Sequence, residues 1–92
     1  MKTVALFGAG QIGAMVSRLL GTGCGACCFA DNSEKKWGGE LAGIPIVSPR
    51  DALLFDPDAV CICVLDDERA AQMCSQLDAL GYDGEIISPA LL

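Results

Sequence analysis

The residues with chemistry to offer begin at Gly8-Ala9-Gly10-Gln11-Ile12-Gly13. This spacing can hold a phosphate with backbone alone, and each glycine has its own reason. Gly8 makes a tight turn out of a strand, Gly10 lets the backbone approach a pyrophosphate, and Gly13 lets the following helix lie close to the sheet. At the start of that helix the first N–H groups lack intrahelical partners and the dipole is positive, so an anion binds there without a basic side chain. Asp31 lies eighteen residues after Gly13, where a carboxylate accepts hydrogen bonds from a ribose 2′-hydroxyl. Asn32 follows it on the rim of the same loop, and Trp37 could stack its indole on a base. Across the expected crevice stands Leu65, just after Val64. The candidate nucleotide-binding residues are therefore Gly8, Ala9, Gly10, Gln11, Ile12, Gly13, Asp31, Asn32, Trp37 and Leu65; none is assigned a catalytic role. The charge on Asp31 disfavours a 2′-phosphate, while Lys35 and Lys36 pull the other way from a solvated loop. The expected ligand is NAD, ahead of NADP or a UDP-sugar.

The elements that must position these groups follow from pattern. Thr3–Phe7 reads as a short buried strand, and Met15, Val16, Leu19 and Leu20 recur at helical spacing until Gly21-Thr22-Gly23. Gly25–Ala30 is a second strand ending at Asp31, followed by a polar loop from Asn32 to Glu40. Gly43–Val47 reads as a third strand, with Pro45 tolerable only at an edge or a strand start. Ser48-Pro49-Arg50-Asp51 has the form of a capped helix start, and the helix runs through Leu53, Leu54 and Phe55. Ala59–Leu65 is uniformly apolar, as in a central strand buried on both faces. Asp66 or Asp67 caps a helix carrying Ala70, Met73, Cys74, Leu77 and Leu80 and closed by Gly81; Glu85–Ser88 is a fifth strand before Pro89-Ala90-Leu91-Leu92. The expectation is an α/β, Rossmann-like, doubly wound five-stranded parallel sheet in order 3-2-1-4-5, with its ligand crevice between strands one and four. Residues 1–92 make one such domain.

Composition narrows the function. The chain is 52% apolar and 5% aromatic, which suits a sheet packed from Val, Ile, Leu, Ala and Cys. Six basic residues face twelve acidic ones, with no histidine and a net charge of -6, so nucleic acid and anionic membrane surfaces are excluded as partners. No apolar run approaches the length of a membrane span and no signal peptide is visible, which places the chain in the cytoplasm. The six cysteines include Cys24-x-x-Cys27-Cys28 and Cys61-x-Cys63. Adjacent strand residues face opposite sides of a sheet, so Cys27 and Cys28 should point apart, and no metal site is expected. Reduced cysteines serving as small core residues are the better account. A domain this small buries only about 60–65% of its unfolded surface, which favours a homodimer or a second domain.

Beyond the glycine turn, Phe29-Ala30-Asp31-Asn32, Lys36-Trp37-Gly38, Gly43-Ile44-Pro45-Ile46-Val47-Ser48-Pro49 and Ile86-Ile87-Ser88-Pro89 carry a resemblance. Over nearly its whole length the chain resembles the Rossmann-like nucleotide-binding domain that begins many bacterial nucleotide-sugar epimerase/dehydratase-like proteins and other proteins of surface-polysaccharide synthesis. A related domain opens some sugar acyltransferases. The resemblance implies the fold and a nucleotide or nucleotide-sugar site. It does not imply the reaction, because the module occurs with several catalytic partners. The epimerases and dehydratases use a tyrosine with a lysine four residues on, whereas here Tyr82 is followed by Ile86. The chain alone is thus read as a binding domain, with a non-catalytic nucleotide-sensing or structural module as the alternative.

Overall fold

The computed structural model describes residues 1–21 and 23–88. Thr22 and the closing Pro89-Ala90-Leu91-Leu92 lie outside the described residues. Among the described residues six strands and three α-helices follow in the order β1 (Lys2–Phe7), α1 (Gln11–Leu19), β2 (Cys24–Ala30), β3 (Glu40–Leu41), β4 (Ile44–Val47), α2 (Pro49–Leu53), β5 (Ala59–Ile62), α3 (Asp67–Ala79) and β6 (Glu85–Ile87), with one 3-10 turn over Glu34–Lys36 between β2 and β3. The sheet order is β3-β4-β2-β1-β5-β6. All pairs are parallel except β3 with β4. The five strands read from sequence occur in the order expected for them, and β3 is an addition. It arises because Ala42 and Gly43, both at positive φ, turn the loop back on itself, as a two-residue hairpin requires. Pro45 is consequently not on the sheet's outer edge; it sits opposite Glu40 in the β3–β4 pairing.

Both faces of the sheet are covered. One carries Val4, Leu6, Phe29 and Cys61 against Val16 of α1; the other carries Ala5, Phe7, Cys28 and Val60 against Ala52 of α2 and Met73 and Leu77 of α3. The complete burial of Leu6, Phe29 and Val60 explains the unbroken apolar runs of the central strands. Capping chemistry fixes where α2 and α3 begin. Ser48 accepts from the Asp51 N–H at 3.1 Å, with Pro49 at the first helical position, and Asp66, not Asp67, caps α3 by accepting from the Glu68 N–H.

Three boundaries differ from expectation. Helix α2 stops at Leu53; Leu54 and Phe55 form three-residue turns instead and are exposed. Strand β5 ends at Ile62 because its neighbour β1 ends at Phe7, where the glycine turn leaves the sheet. Only the bond from the Cys63 N–H to the Phe7 carbonyl continues the ladder, and Val64 and Leu65 run free of it. The third difference lies inside β2. Val4 pairs with Ala26 but Ala5 pairs with Cys28, so Cys27 is an extra residue in a β-bulge. The bulge turns Cys27 toward the same face as Cys28, and the two sulfurs lie 3.9 Å apart instead of on opposite sides.

Candidate functional site

The cleft lies at the carboxyl ends of β1, β2 and β5, on the edge where an open parallel sheet binds ligands. Its larger part, about 380 Å³, is lined by Gly8, Ala9, Gly10, Gln11 and Ile12 on one side and by Val64, Leu65, Asp66 and Arg69 on the other, with Asp31 and Lys36 at one end. A smaller part of about 200 Å³ continues along α3, between Asp31 and Asn32 and the residues Gln72, Met73 and Gln76. Arg69 borders both parts.

The three glycines divide their work as their spacing requires. Gly8 has φ of +122°, and a Cβ there would meet the Cys63 carbonyl oxygen at 3.1 Å. Gly13 is buried, and a Cβ there would collide with the Gly8 carbonyl oxygen and lie 2.8 Å from the Phe29 ring. Both positions need glycine for the fold. Gly10 differs: it has extended backbone, and a Cβ would meet nothing within 4 Å. Glycine at position 10 is thus not demanded by the protein's own packing, and the space above it opens into the cleft.

Gly10 is also the N-cap of α1, which has no side-chain cap and no acidic residue in its first turn. Both α2 and α3 have a capping side chain and at least one acid there. No residue of α1 itself thus compensates its dipole at the cleft, where the helix start favours negative charge. Met15 and Leu19 on the far face of α1 are exposed.

Asp31 organises the rest. One carboxylate oxygen accepts from the Ala9 N–H at 2.8 Å and the other from the Ser33 N–H at 2.8 Å. Its carbonyl accepts from the Trp37 indole N–H at 2.7 Å. Lys36 completes the arrangement by donating to the Ala9 carbonyl at 2.9 Å, with its ammonium 3.7 Å from the Asp31 carboxylate. Asp31 and Lys36 therefore hold the two polar groups of Ala9 from either side and fix the glycine turn. The Asp31 side chain remains 15% exposed. A carboxylate has about four acceptor positions, so capacity is left for a hydroxyl of a ligand.

The expected residues do not all meet. Gly8, Ala9, Gly10, Gln11, Ile12, Asp31 and Leu65 border the main cleft, with Leu65 71% exposed. Asn32 borders the smaller part, where its amide exchanges two hydrogen bonds with the Gln76 amide, at 3.0 and 2.7 Å. Trp37 lines a neighbouring depression with Ser48, Pro49 and Leu80, on which the amide pair also borders, and does not line either part of the cleft. Lys36, read from sequence as solvated, and Arg69, not singled out at all, both reach the cleft. Lys36 could have been suspected from its place in the loop after Asp31; Arg69 had as its only signal a position one turn into the helix that follows β5.

Tyr82 stands away from the site. Its hydroxyl donates to the Glu85 carbonyl at 2.8 Å, at the amino end of β6 and hence at the opposite edge of the sheet. All six cysteines are free thiols. Among the described residues no group of three or more His, Cys, Asp or Glu side chains could hold a metal ion, and no helix is long and apolar enough to cross a membrane.

No protein-family model matches the chain, and no curated protein matches it. Solved structures do. A UDP-D-quinovosamine 4-dehydrogenase from Vibrio fischeri superposes with a TM-score of 0.78 at 21% identity, over 95% of this chain and 76% of that one. RSP, a Rex-family repressor, superposes with a TM-score of 0.74 at 13% identity, over 96% of this chain and 52% of that one. At these identities the likeness is one of fold, and the fold is Rossmann-like.

Proposed function

We propose that the chain is an NAD-binding domain that belongs to nucleotide-sugar metabolism of the kind used in surface-polysaccharide synthesis. The observation that carries the reading is the open space over Gly10 at an uncapped, acid-free helix N-terminus that faces Asp31. In this reading the pyrophosphate rests on the N–H groups that begin α1, and the adenosine ribose adds its hydroxyls to the free acceptor positions of Asp31. Lys36 and Arg69 flank the phosphates, and the part of the cleft between Asn32 and Gln72 takes the base. A bound NAD would supply hydride transfer at its nicotinamide ring; the residues of this chain bind and orient the dinucleotide. The fold of a UDP-sugar 4-dehydrogenase supports the sugar-nucleotide context.

A second reading, a non-catalytic module that senses the dinucleotide, draws support from the likeness to a repressor over 96% of this chain. Absence of histidine and the distance of Tyr82 from the cleft favour binding over turnover in either case. Calorimetric titration with NAD+, NADH, NADP+ and UDP-sugars tests the proposal. NAD+ or NADH should bind more tightly than NADP+; binding of a UDP-sugar alone, or of no nucleotide, refutes it.

A further inference from the structure

The bulge in β2 gives Cys27 and Cys28 a relationship that a regular strand forbids. Successive side chains of a strand point to opposite faces, yet here both pack against the core face formed with Ala5, Ala30 and Val60. The sulfurs lie 3.9 Å apart, and the Cys27 thiol also donates to the Val4 carbonyl at 3.5 Å. Cys27 is half-buried and reachable from solvent, whereas Cys28 is fully buried behind it. One accessible thiol and one sheltered thiol in contact are the parts of a peroxide-reactive pair, in which the first is oxidised and the second resolves it.

We propose that Cys27 and Cys28 form a reversible oxidation site that closes to a disulfide between adjacent residues when the protein meets hydrogen peroxide. The Cys27 thiolate attacks one oxygen of hydrogen peroxide, the O–O bond breaks, and a sulfenic acid and a hydroxide result, the hydroxide taking up the proton that the Cys27 thiol had lost to give one water. The Cys28 sulfur then attacks the Cys27 sulfur; the S–S bond forms, the S–O bond breaks, and the hydroxide leaves with the Cys28 proton as a second water. Two thiols and one peroxide thus give one disulfide and two waters.

Physical chemistry accounts for both the reduced resting state and the reversibility. Burial, then the neighbouring Cys27, push the Cys28 thiol up to about 12, so Cys28 rests protonated and Cys27 is the thiol that meets the peroxide. Adjacent Cα atoms are about 3.8 Å apart, closer than the roughly 4.4–6.8 Å usual for disulfides. The ring is therefore strained, and strained disulfides are the readily reduced, regulatory kind. Cys61 and Cys63 share a face too, but both are buried and lack the accessible first thiol.

The test uses the full chain carrying Cys24→Ala and Cys74→Ala, which removes the other two partly accessible thiols, and treats it with one equivalent of hydrogen peroxide. The expected result is a monomer that loses two titratable thiols and two hydrogens of mass, both mapped to the Leu19–Lys35 tryptic peptide and restored by dithiothreitol. Adding Cys27→Ser should abolish the loss. If the double variant fails to fold, fragment spectra of the oxidised wild-type peptide decide: cleavage between residues 24 and 27 is retained for a Cys27–Cys28 ring and suppressed for a Cys24–Cys27 ring. A Cys24–Cys27 ring, a linked dimer, a sulfinic acid at Cys27, or thiols untouched by the peroxide would overturn the proposal.

Discussion

Gly10→Val is the substitution for which the structure separates binding from folding. Gly10 has φ of -126° and ψ of -158°, a conformation valine adopts readily, and its Cβ direction is empty to 4 Å. The folding cost is therefore confined to the helix cap, where exchanging glycine for an aliphatic residue loses about 1 kcal/mol. For a domain of this size that lowers the melting temperature by roughly 4–8 °C. The binding cost is larger. An isopropyl group over the start of α1 would occupy the position proposed for the pyrophosphate and deny it the first N–H groups. Charge-assisted hydrogen bonds are worth about 1.5–3 kcal/mol each, so losing two of them costs at least about 3 kcal/mol, or roughly 100-fold in Kd. Calorimetry with NAD+ measures the second effect and a thermal melt the first. A folded Gly10→Val protein that binds NAD+ with wild-type affinity would refute the argument, because the turn would then serve the fold only.

Gly13→Ala should give the converse result, a loss of stability of roughly 1–3 kcal/mol in denaturant titration, since the new methyl group meets the Gly8 carbonyl and the Phe29 ring in a packed interior. Lys36→Met should weaken NAD+ binding several-fold and flatten its dependence on salt, read by titration at two ionic strengths, because it removes a cation from the phosphate end of the cleft. Stability should fall in acid partly through Asp58, whose pKa is held below the ordinary aspartate value by the Thr3 N–H and then the Thr3 hydroxyl. Its folded pKa being depressed, the contribution is complete above the unfolded value and disappears below about pH 4. Asp58→Asn should accordingly narrow the difference in melting temperature between pH 6 and pH 3. The chain alone should give no multiple turnover of NADH with a panel of UDP-sugars, followed by absorbance, because the cleft has no histidine or tyrosine and its Asp31 and Lys36 are engaged with the polar groups of Ala9.

Much of this was legible because backbone requirements leave marks in sequence. The glycine spacing, the acid at the end of the second strand, the Ser48-Pro49 cap and the unbroken apolar runs each reflect a constraint acting within one element or between neighbours. Features that depend on register across strands left no such mark. A single inserted residue at Cys27 is invisible in a run of small apolar residues, because the period-2 signal needs polar partners to reveal a slip. The end of β5 at Ile62 was set by the length of β1, not by anything in Val64 or Leu65. The β3 hairpin hid in a two-residue strand between glycines, and Ala42 at positive φ gave no compositional warning.

Electrostatic balance ties the fold to the site. The protein carries a net charge of -6 with only six basic residues, yet Lys36 and Arg69 both border one cleft. They stand against Asp31 and Asp66 on the same walls, so the side-chain charges there sum to zero and the region escapes the negative field of the rest. The residual attraction for an anion must then come from backbone, and among the α-helices of the described residues α1 alone begins with neither a capping side chain nor an acid in its own first turn. Asp31 contributes twice. By taking the Ala9 N–H it aims the turn, and by its charge it helps to hold Lys36 beside the Ala9 carbonyl. Replacing Asp31 with asparagine would keep an acceptor for the Ala9 N–H but leave Lys36 held by the Ala9 carbonyl alone, so the glycine turn should loosen before the proposed ribose contact is lost.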